Sequence, residues 1–259
     1  MNILITGATG FVGGYLIQAL LEQPNARLYA LVRTCTKLLP EHQNNVICLE
    51  GDLLDTKFVE EALADVRPDV IYHLAGQASE PESWANPWQT YQTNLLIQLN
   101  LFNGILALGL NSKMLCVTSG KVYGAVPEAE MPITESADLC PNNPYGVSKA
   151  TQDMMARQYF LSHSLHSISA RPFNHIGPRQ TPEFVTASFA QQIALVEAGQ
   201  AKPVIRVGNL AAKRDFTDVR DVIDAYLLLM EHGTPGEAYN IGSGQAISIQ
   251  KILDIFLDF

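Results

Sequence analysis

Asn2-Ile3-Leu4-Ile5-Thr6-Gly7-Ala8-Thr9-Gly10-Phe11-Val12-Gly13 follows directly on Met1. Asn2–Thr6 is an apolar run that reads as a strand, and Phe11–Glu22 reads as a helix. Between them the glycines fall at every third position. Such a pattern is weak alone and strong between a first strand and a first helix. Gly7 permits a tight turn, Gly10 lets the backbone approach a pyrophosphate, and Gly13 lets the helix pack on the sheet. The helix N-terminus adds free N–H groups and a favourable dipole for phosphate. With Thr9, Phe11 and Val12 these residues form a candidate dinucleotide-binding turn. The plain alternative is an ordinary strand–helix turn.

The pattern continues outward from there. Arg27–Val32, Val46–Glu50, Asp69–Ala75, Met114–Ser119 and Ser167–Arg171 read as further strands. Most are apolar throughout, as parallel strands covered on both faces must be. Thr56–Asp65, Pro87–Gly109 and Pro144–His163 read as helices between them. This alternation predicts an α/β fold: a doubly wound parallel sheet, Rossmann-like, with helices on both faces.

After Pro172 the pattern changes. Pro172, Pro178 and Pro182 punctuate a loop. A helix over Glu183–Ala198, a strand over Val204–Val207, a helix over Asp218–His232, a strand over Glu237–Ile241 and a helix from Ser248 are expected. We therefore expect a dinucleotide-binding domain over 1–172. A small C-terminal lobe over 173–259 is expected to bind substrate and to interleave partly with the first domain.

The chain has 259 residues, which suits roughly one to two domains. A net charge of −9 with no Lys/Arg run makes nucleic acid and anionic membrane poor partners. Leu95–Leu110 is the most apolar stretch, but Gln98, Asn100, Asn103 and two glycines interrupt it. Met1 leads straight into a strand, so no secretory leader is read. Cys35, Cys48, Cys116 and Cys140 form no C-x-x-C pair. Free thiols in a reducing cytoplasm are expected, and no metal site is read.

An enzyme that prefers NAD usually carries Asp or Glu at the end of the second strand. Here stand Arg33 and, four residues on, Lys37. They point to a 2′-phosphate, hence NADP(H), with NAD(H) the alternative and a solvated Arg33 the plain reading. Asp52 and Leu53, after the third strand, are placed to contact adenine, although Asp52 suits a turn equally well.

Asn142-Asn143-Pro144-Tyr145-Gly146-Val147-Ser148-Lys149 sets Asn143 as a helix cap and Pro144 at the first helical position. Tyr145 and Lys149 then share one helix face. An ammonium beside a phenol lowers its pKa and brings proton exchange toward neutrality. Tyr-x-x-x-Lys is common by chance, but the fifth strand ends in Thr118-Ser119-Gly120-Lys121-Val122-Tyr123-Gly124. Strand carboxyl ends line the ligand crevice of such sheets, so Ser119 would present a hydroxyl to a carbonyl oxygen.

With these residues the chain resembles the extended short-chain dehydrogenase/reductase enzymes of nucleotide sugars. The likeness extends to His73-Leu74-Ala75-Gly76, to Arg171-Pro172-Phe173-Asn174-His175-Ile176-Gly177-Pro178 and to Lys213-Arg214-Asp215-Phe216-Thr217-Asp218-Val219. The last two segments look most like GDP-6-deoxy-4-keto-D-mannose reductases (GDP-D-rhamnose-forming) and their GDP-mannose dehydratase relatives. The resemblance implies Ser119, Tyr145 and Lys149 as catalytic residues. It implies Leu74, Ala75, Gly76, Pro172, Asn174 and His175 beside the cofactor, together with Tyr145 and Lys149. It implies Ser119, Asn174, Arg179, Val207, Asn209 and Arg214 around the nucleotide sugar, with Arg214 on a phosphate. The plain alternatives are a salt bridge from Arg214 to Asp215 or Asp218, a loop-capping Asn174, and a His175 outside the chemistry.

Dehydratases of this family carry an acidic residue pair after the catalytic hydroxyl residue. This chain has Ser119-Gly120-Lys121, with no carboxylate to act at C5. No Cys/His pair suits 3,5-epimerisation, and Cys116 reads as core. Reduction of the C4 carbonyl of a nucleotide-linked 4-keto-6-deoxy sugar remains, with GDP-4-keto-6-deoxy-D-mannose to GDP-D-rhamnose implied by resemblance. The alternatives are a UDP-hexose 4-epimerase with bound NAD and a non-catalytic dinucleotide sensor. Relatives also pair as homodimers through a four-helix bundle of the helices read at Pro87–Gly109 and Pro144–His163. Leu95, Leu96, Leu99, Phe102, Met154 and Met155 are candidate faces for that bundle or for the core. Family members continue some tens of residues past the position of Phe259, so the resemblance implies a truncated chain or a less enclosed nucleotide pocket.

Overall fold

In a parallel strand, alternate residues face opposite sides, so a strand covered on both faces must be apolar throughout. The computed structural model, which describes residues 1–258, shows this in β1 (Asn2–Thr6). Ile3 and Ile5 face one core and Leu4 the other, all fully buried. β2 (Arg27–Val32), β3 (Val46–Glu50), β4 (Val70–His73), β5 (Lys113–Val117) and β6 (Ser167–Pro172) pair in parallel with β1 and with one another.

β7 (Asn174–Ile176), β8 (Lys213–Asp218) and β10 (Ala246–Ser248) form a separate three-stranded sheet, while β9 (Ala238–Ile241) pairs in parallel with β6. The large sheet therefore has seven strands in the order β3-β2-β1-β4-β5-β6-β9. The order reverses between β1 and β4, and at such a switch point the strand ends open a ligand crevice.

Two helical layers cover this sheet. α1 (Phe11–Leu21) contributes Leu16, Ile17 and Leu20 to one face, alongside Val222, Ile223, Tyr226 and Met230 of a late helix, Val219–His232. α2 (Thr56–Val66), a short α3 (Glu80–Ala85), α4 (Pro87–Ala107) and α5 (Pro144–His163) follow in chain order. The opposite face takes Val59 and Leu63 from α2, Ile97, Leu101, Phe102 and Ile105 from α4, and Ala156 and Tyr159 from α5. α6 (Val185–Glu197), the late helix α7 (Val219–His232) and α8 (Ile249–Leu257) complete the fold. A small third core joins Phe189 of α6 to Ile249, Ile252 and Leu253 of α8 over the three-stranded sheet.

Several expectations change here. Val204–Val207 forms no strand. The Gln192 side chain instead takes up the Arg206 backbone groups, accepting from the N–H at 2.8 Å and donating to the carbonyl at 3.2 Å. The expected interleaving is visible in the sheet, since β9 forms an edge of the large sheet and α7 lies on its face.

The four cysteines are not all free. Cys35 and Cys48 form a disulfide with their Cα atoms 6.0 Å apart. Cys48 pairs with Ala30 across β2 and β3, and the chain turns back after β2 to bring Cys35 over it. Cys116 is buried and Cys140 exposed, both as thiols. Among the bundle candidates, Phe102 is core, Leu99 and Met155 pack beside it, and Leu96 and Met154 are exposed. Among the described residues no helix is long and apolar enough to cross a membrane, and no His/Cys/Asp/Glu cluster is arranged to hold a metal.

Candidate active site

The glycine turn is closed to side chains. Gly7 has φ +72°, and a Cβ there would stand 2.7 Å from the Ala75 nitrogen. A Cβ on Gly13 would stand 2.4 Å from the Gly7 carbonyl oxygen. Gly10 caps α1 with no side-chain hydrogen bond, so the N–H groups of the first turn point into the crevice uncovered. This cradle fits a pyrophosphate. Thr9 is exposed beside it, while Phe11 and Val12 are half-buried. Leu74, Ala75 and Gly76 leave β4 alongside, with the Ala75 N–H donated to Thr6 Oγ1 at 3.2 Å.

At the far end of the crevice Arg33 and Lys37 are exposed, and neither forms an ion pair among the described residues. The Cys35–Cys48 disulfide and a 2.8 Å hydrogen bond from Cys35 N–H to Glu50 hold the intervening turn. Asp52 accepts from Leu54 N–H at 2.9 Å, which makes it a turn residue with an exposed carboxylate. Leu53 is buried.

The Ser119 and Tyr145 side chains lie within hydrogen-bond reach of each other, and Lys149 stands one turn further along the helix that carries Tyr145. β5 ends at Val117, and Ser119 caps the short turn Gly120–Tyr123 by accepting from Lys121 N–H at 3.2 Å. Asn143 caps α5 by accepting from Gly146 N–H at 2.7 Å, which sets Tyr145 in the first turn. Lys149, one turn on, is buried and donates to the Val117 carbonyl at 2.9 Å. Burial lowers its pKa to about 8, opposed by nearby Cys116.

Tyr145 departs from expectation. Burial pushes its pKa up to about 12, the Ser119 hydrogen bond pulls it down, and the Glu80 carboxylate pushes it further up. The Lys149 ammonium, turned to the Val117 carbonyl, does not offset this. The phenol is thus a held proton at neutral pH, as a proton donor requires. His73 is buried and neutral beneath the site. Burial and then the Lys149 charge push it down to about 3, and its Nδ1 lies 2.8 Å from Thr6 Oγ1.

The substrate-side candidates divide. Asn174 donates to the Asp215 carbonyl of β8 at 3.2 Å, so it braces the small sheet. His175 stacks on Phe11 with centroids 6.2 Å apart and planes at 5°, joining β7 to the cofactor turn. Arg214 is exposed and forms neither salt bridge considered for it. Asp215 accepts from Ser243 and Gly244, Asp218 pairs with Arg220, and among the described residues Arg214 donates only to the Lys213 carbonyl at 2.7 Å. Val207 and Asn209 are exposed in an irregular segment, and Asn209 accepts from Ala211 N–H at 3.0 Å.

The Arg179 guanidinium lies 4.6 Å from the Tyr15 ring centroid on α1 and pairs with Glu41 at 3.5 Å. Pro172 is buried at the end of β6. Sequence reading passed over the Asp153–Arg171 pair, two buried 2.8 Å hydrogen bonds that continue from Arg171 to the Tyr123 hydroxyl at 2.7 Å. It also passed over Glu80, which pairs with Lys121 at 2.8 Å.

Known proteins resemble the chain along its whole length. Residues 4–258 match the sequence family described as GDP-mannose 4,6 dehydratase. A GDP-6-deoxy-D-mannose reductase of Pseudomonas aeruginosa is 40% identical over 258 residues, covering 99% of this chain and 79% of that protein. The structure of RMD from Pseudomonas aeruginosa complexed with NADPH superposes with a TM-score of 0.87 at 38% identity, covering 99% of this chain and 81% of that one. A Thermus thermophilus UDP-glucose 4-epimerase complexed with NAD superposes with a TM-score of 0.87 at 30% identity, covering 100% and 83%.

Proposed function

Since the chain belongs to the GDP-mannose 4,6-dehydratase family of extended short-chain dehydrogenase/reductases, we propose that it reduces the C4 carbonyl of a nucleotide-linked 4-keto-6-deoxy sugar. The substrate is GDP-4-keto-6-deoxy-D-mannose and the product GDP-D-rhamnose. One observation carries the reading. Beside the candidate residues Ser119, Tyr145 and Lys149 the sequence carries a lysine, Lys121, where a dehydratase would hold a carboxylate. The 40% identity to a reductase agrees with it. The epimerase reading is less favoured, at 30% identity, and a non-catalytic sensor has no need of the three residues.

The turn of Gly7, Gly10 and Gly13 would hold NADPH, which when bound would supply the hydride for C4. Arg33 and Lys37 are free to meet a 2′-phosphate, which favours NADP(H) over NAD(H). Ser119 holds the carbonyl oxygen, and Tyr145 gives that oxygen its proton as negative charge develops there. Lys149 anchors the strand end beneath Tyr145 and faces the crevice beside Gly76, where a Cβ would come within 3.6 Å of its Nζ. Arg214, exposed and without an ion pair among the described residues, meets the diphosphate, with Asn174 bracing the sheet that carries it.

Residues 1–172 then hold the cofactor, and 173–259 carry the nucleotide-sugar contacts while lending β9 and α7 to the large sheet. Trp88, Met154 and Leu161, exposed at 75%, 63% and 68% on α4 and α5, support a homodimer through a four-helix bundle. A cytoplasmic placement follows the substrate class. There thiol reductants act on the Cys35–Cys48 bridge, and thiol counting with and without reductant reads its state.

Loss of NADPH absorbance on adding GDP-4-keto-6-deoxy-D-mannose tests the reaction. Tyr145→Phe should slow it by roughly two to four orders of magnitude. Unchanged turnover in that variant, or no turnover in the parent, overturns the reading.

A further inference from the structure

Glu80 stands where three parts of the active site meet. It begins α3, the helix after the β4 loop. One carboxylate oxygen pairs with Lys121 Nζ at 2.8 Å, in the turn that Ser119 caps. The other accepts from Asn143 Nδ2 at 3.3 Å. Asn143 Oδ1 in turn holds Gly146 N–H at 2.7 Å, so the same side chain caps the helix turn that carries Tyr145. The two elements are in close contact, since a Cβ on Gly146 would stand 2.8 Å from the Lys121 carbonyl oxygen. One carboxylate thus bridges the segment bearing Ser119 and the segment bearing Tyr145.

We infer that Glu80 and Lys121 form a charged pair that positions Tyr145 and keeps its proton available for delivery, so that together they bias this site toward reduction. The inference rests on the reduction proposed above. Glu80 and Lys121 are positioning residues, acting through Tyr145.

Groups from each neighbouring element bear on the phenol. Glu80 of α3 disfavours the phenolate, Ser119 favours it, and the buried Tyr226 phenol of α7 lies near enough to be affected by its charge. Lys149 lies one turn along α5, and Lys121 tempers Glu80. The pair is 34% and 39% exposed, so solvent weakens its field without removing it. Glu80 is therefore a negative charge with a built-in counter-ion. Removing one member must move the phenol opposite to removing the other.

The test compares, at matched pH values from about 10 to about 12, the fraction of Tyr145 ionised, read as the tyrosinate absorbance of each protein minus that of its Tyr145→Phe counterpart. Glu80→Gln keeps an acceptor for Asn143 and should lower the pH of Tyr145 ionisation by roughly half to one pH unit. Lys121→Met leaves Glu80 uncompensated and should raise it, and the double variant should return toward the parent. The alkaline limb of kcat/KM for NADPH oxidation should move in the same directions. Single-variant shifts in the same direction, or none, overturn the proposal, because a purely structural bridge predicts no opposition of sign. Opposed shifts in absorbance without turnover uphold the pair and overturn only the reaction. If one variant fails to fold, the sign in the other decides.

Discussion

In the seven-stranded sheet β1 buries Ile3, Leu4 and Ile5 completely, whereas in the three-stranded sheet β8 exposes Lys213 and Arg214 and buries none of its residues fully. The large sheet is specified by apolar strands covered on both faces, and buried polar pairs such as Thr6–His73 and Asp153–Arg171 are set among them. The small sheet has only the core around Phe189, Ile249, Ile252 and Leu253, and its backbone is held by side chains such as Asn174, Gln192 and Asp215. Rigid burial suits the part that must hold hydride and proton in register. An open, side-chain-braced sheet suits the part that must admit a charged nucleotide.

Four measurements probe this contrast. Arg171→Ala strips the counter-ion from buried Asp153 and should cost about 3–5 kcal/mol in denaturant unfolding. A cost near zero would mean the large core does not depend on its buried pair. Acid should act through His73, whose folded pKa is depressed from 6.5 to about 3. Between those values the unfolded chain binds the proton and the folded chain does not. Stability should therefore fall as pH drops, by about 1.4 kcal/mol per unit at most. His73→Gln should flatten this slope.

Gln192→Ala, which frees the Arg206 backbone, should cost only about 1 kcal/mol and should quicken amide exchange near 201–210 more than in β1. Exchange rising equally in 201–210 and in β1 would erase the distinction between the side-chain-braced region and the large sheet. Arg214→Ala should change stability by less than about 0.5 kcal/mol yet raise KM for the nucleotide sugar roughly tenfold with kcat nearly constant. A fall in kcat alone would move Arg214 from binding to chemistry.

The same contrast explains what could be read from sequence. Ile3, Ile71, Leu115 and Ile168 announce their strands because burial on two faces leaves a continuous apolar run. Asn143-Pro144 announces α5 because cap chemistry is local. β7, β8 and β10 carry no such mark, since three-residue and mixed-polarity strands exist only through their pairing partners. Val204–Val207 misleads for the converse reason: it is apolar but has no partner. Cys35 and Cys48 are joined by the adjacency of β2 and β3, which their spacing does not reveal. Tyr145 and Lys149 are legible as a pair, but the direction of the phenol shift depends on burial and on Glu80, a distant residue in sequence.

The return of β9 to the large sheet also bears on how the chain is made. Ser169 of β6 pairs with Cys116 of β5 on one side, but its neighbour on the other side, Ala238, comes much later in the chain. Until then a nascent chain leaving the ribosome presents β6 as an open edge, and the face later covered by Tyr226 of α7 stays bare until that helix emerges. Such an edge templates pairing with other chains. Translation products that stop before Ala238 should therefore be insoluble and captured by chaperones, even though they already contain Ser119, Tyr145 and Lys149.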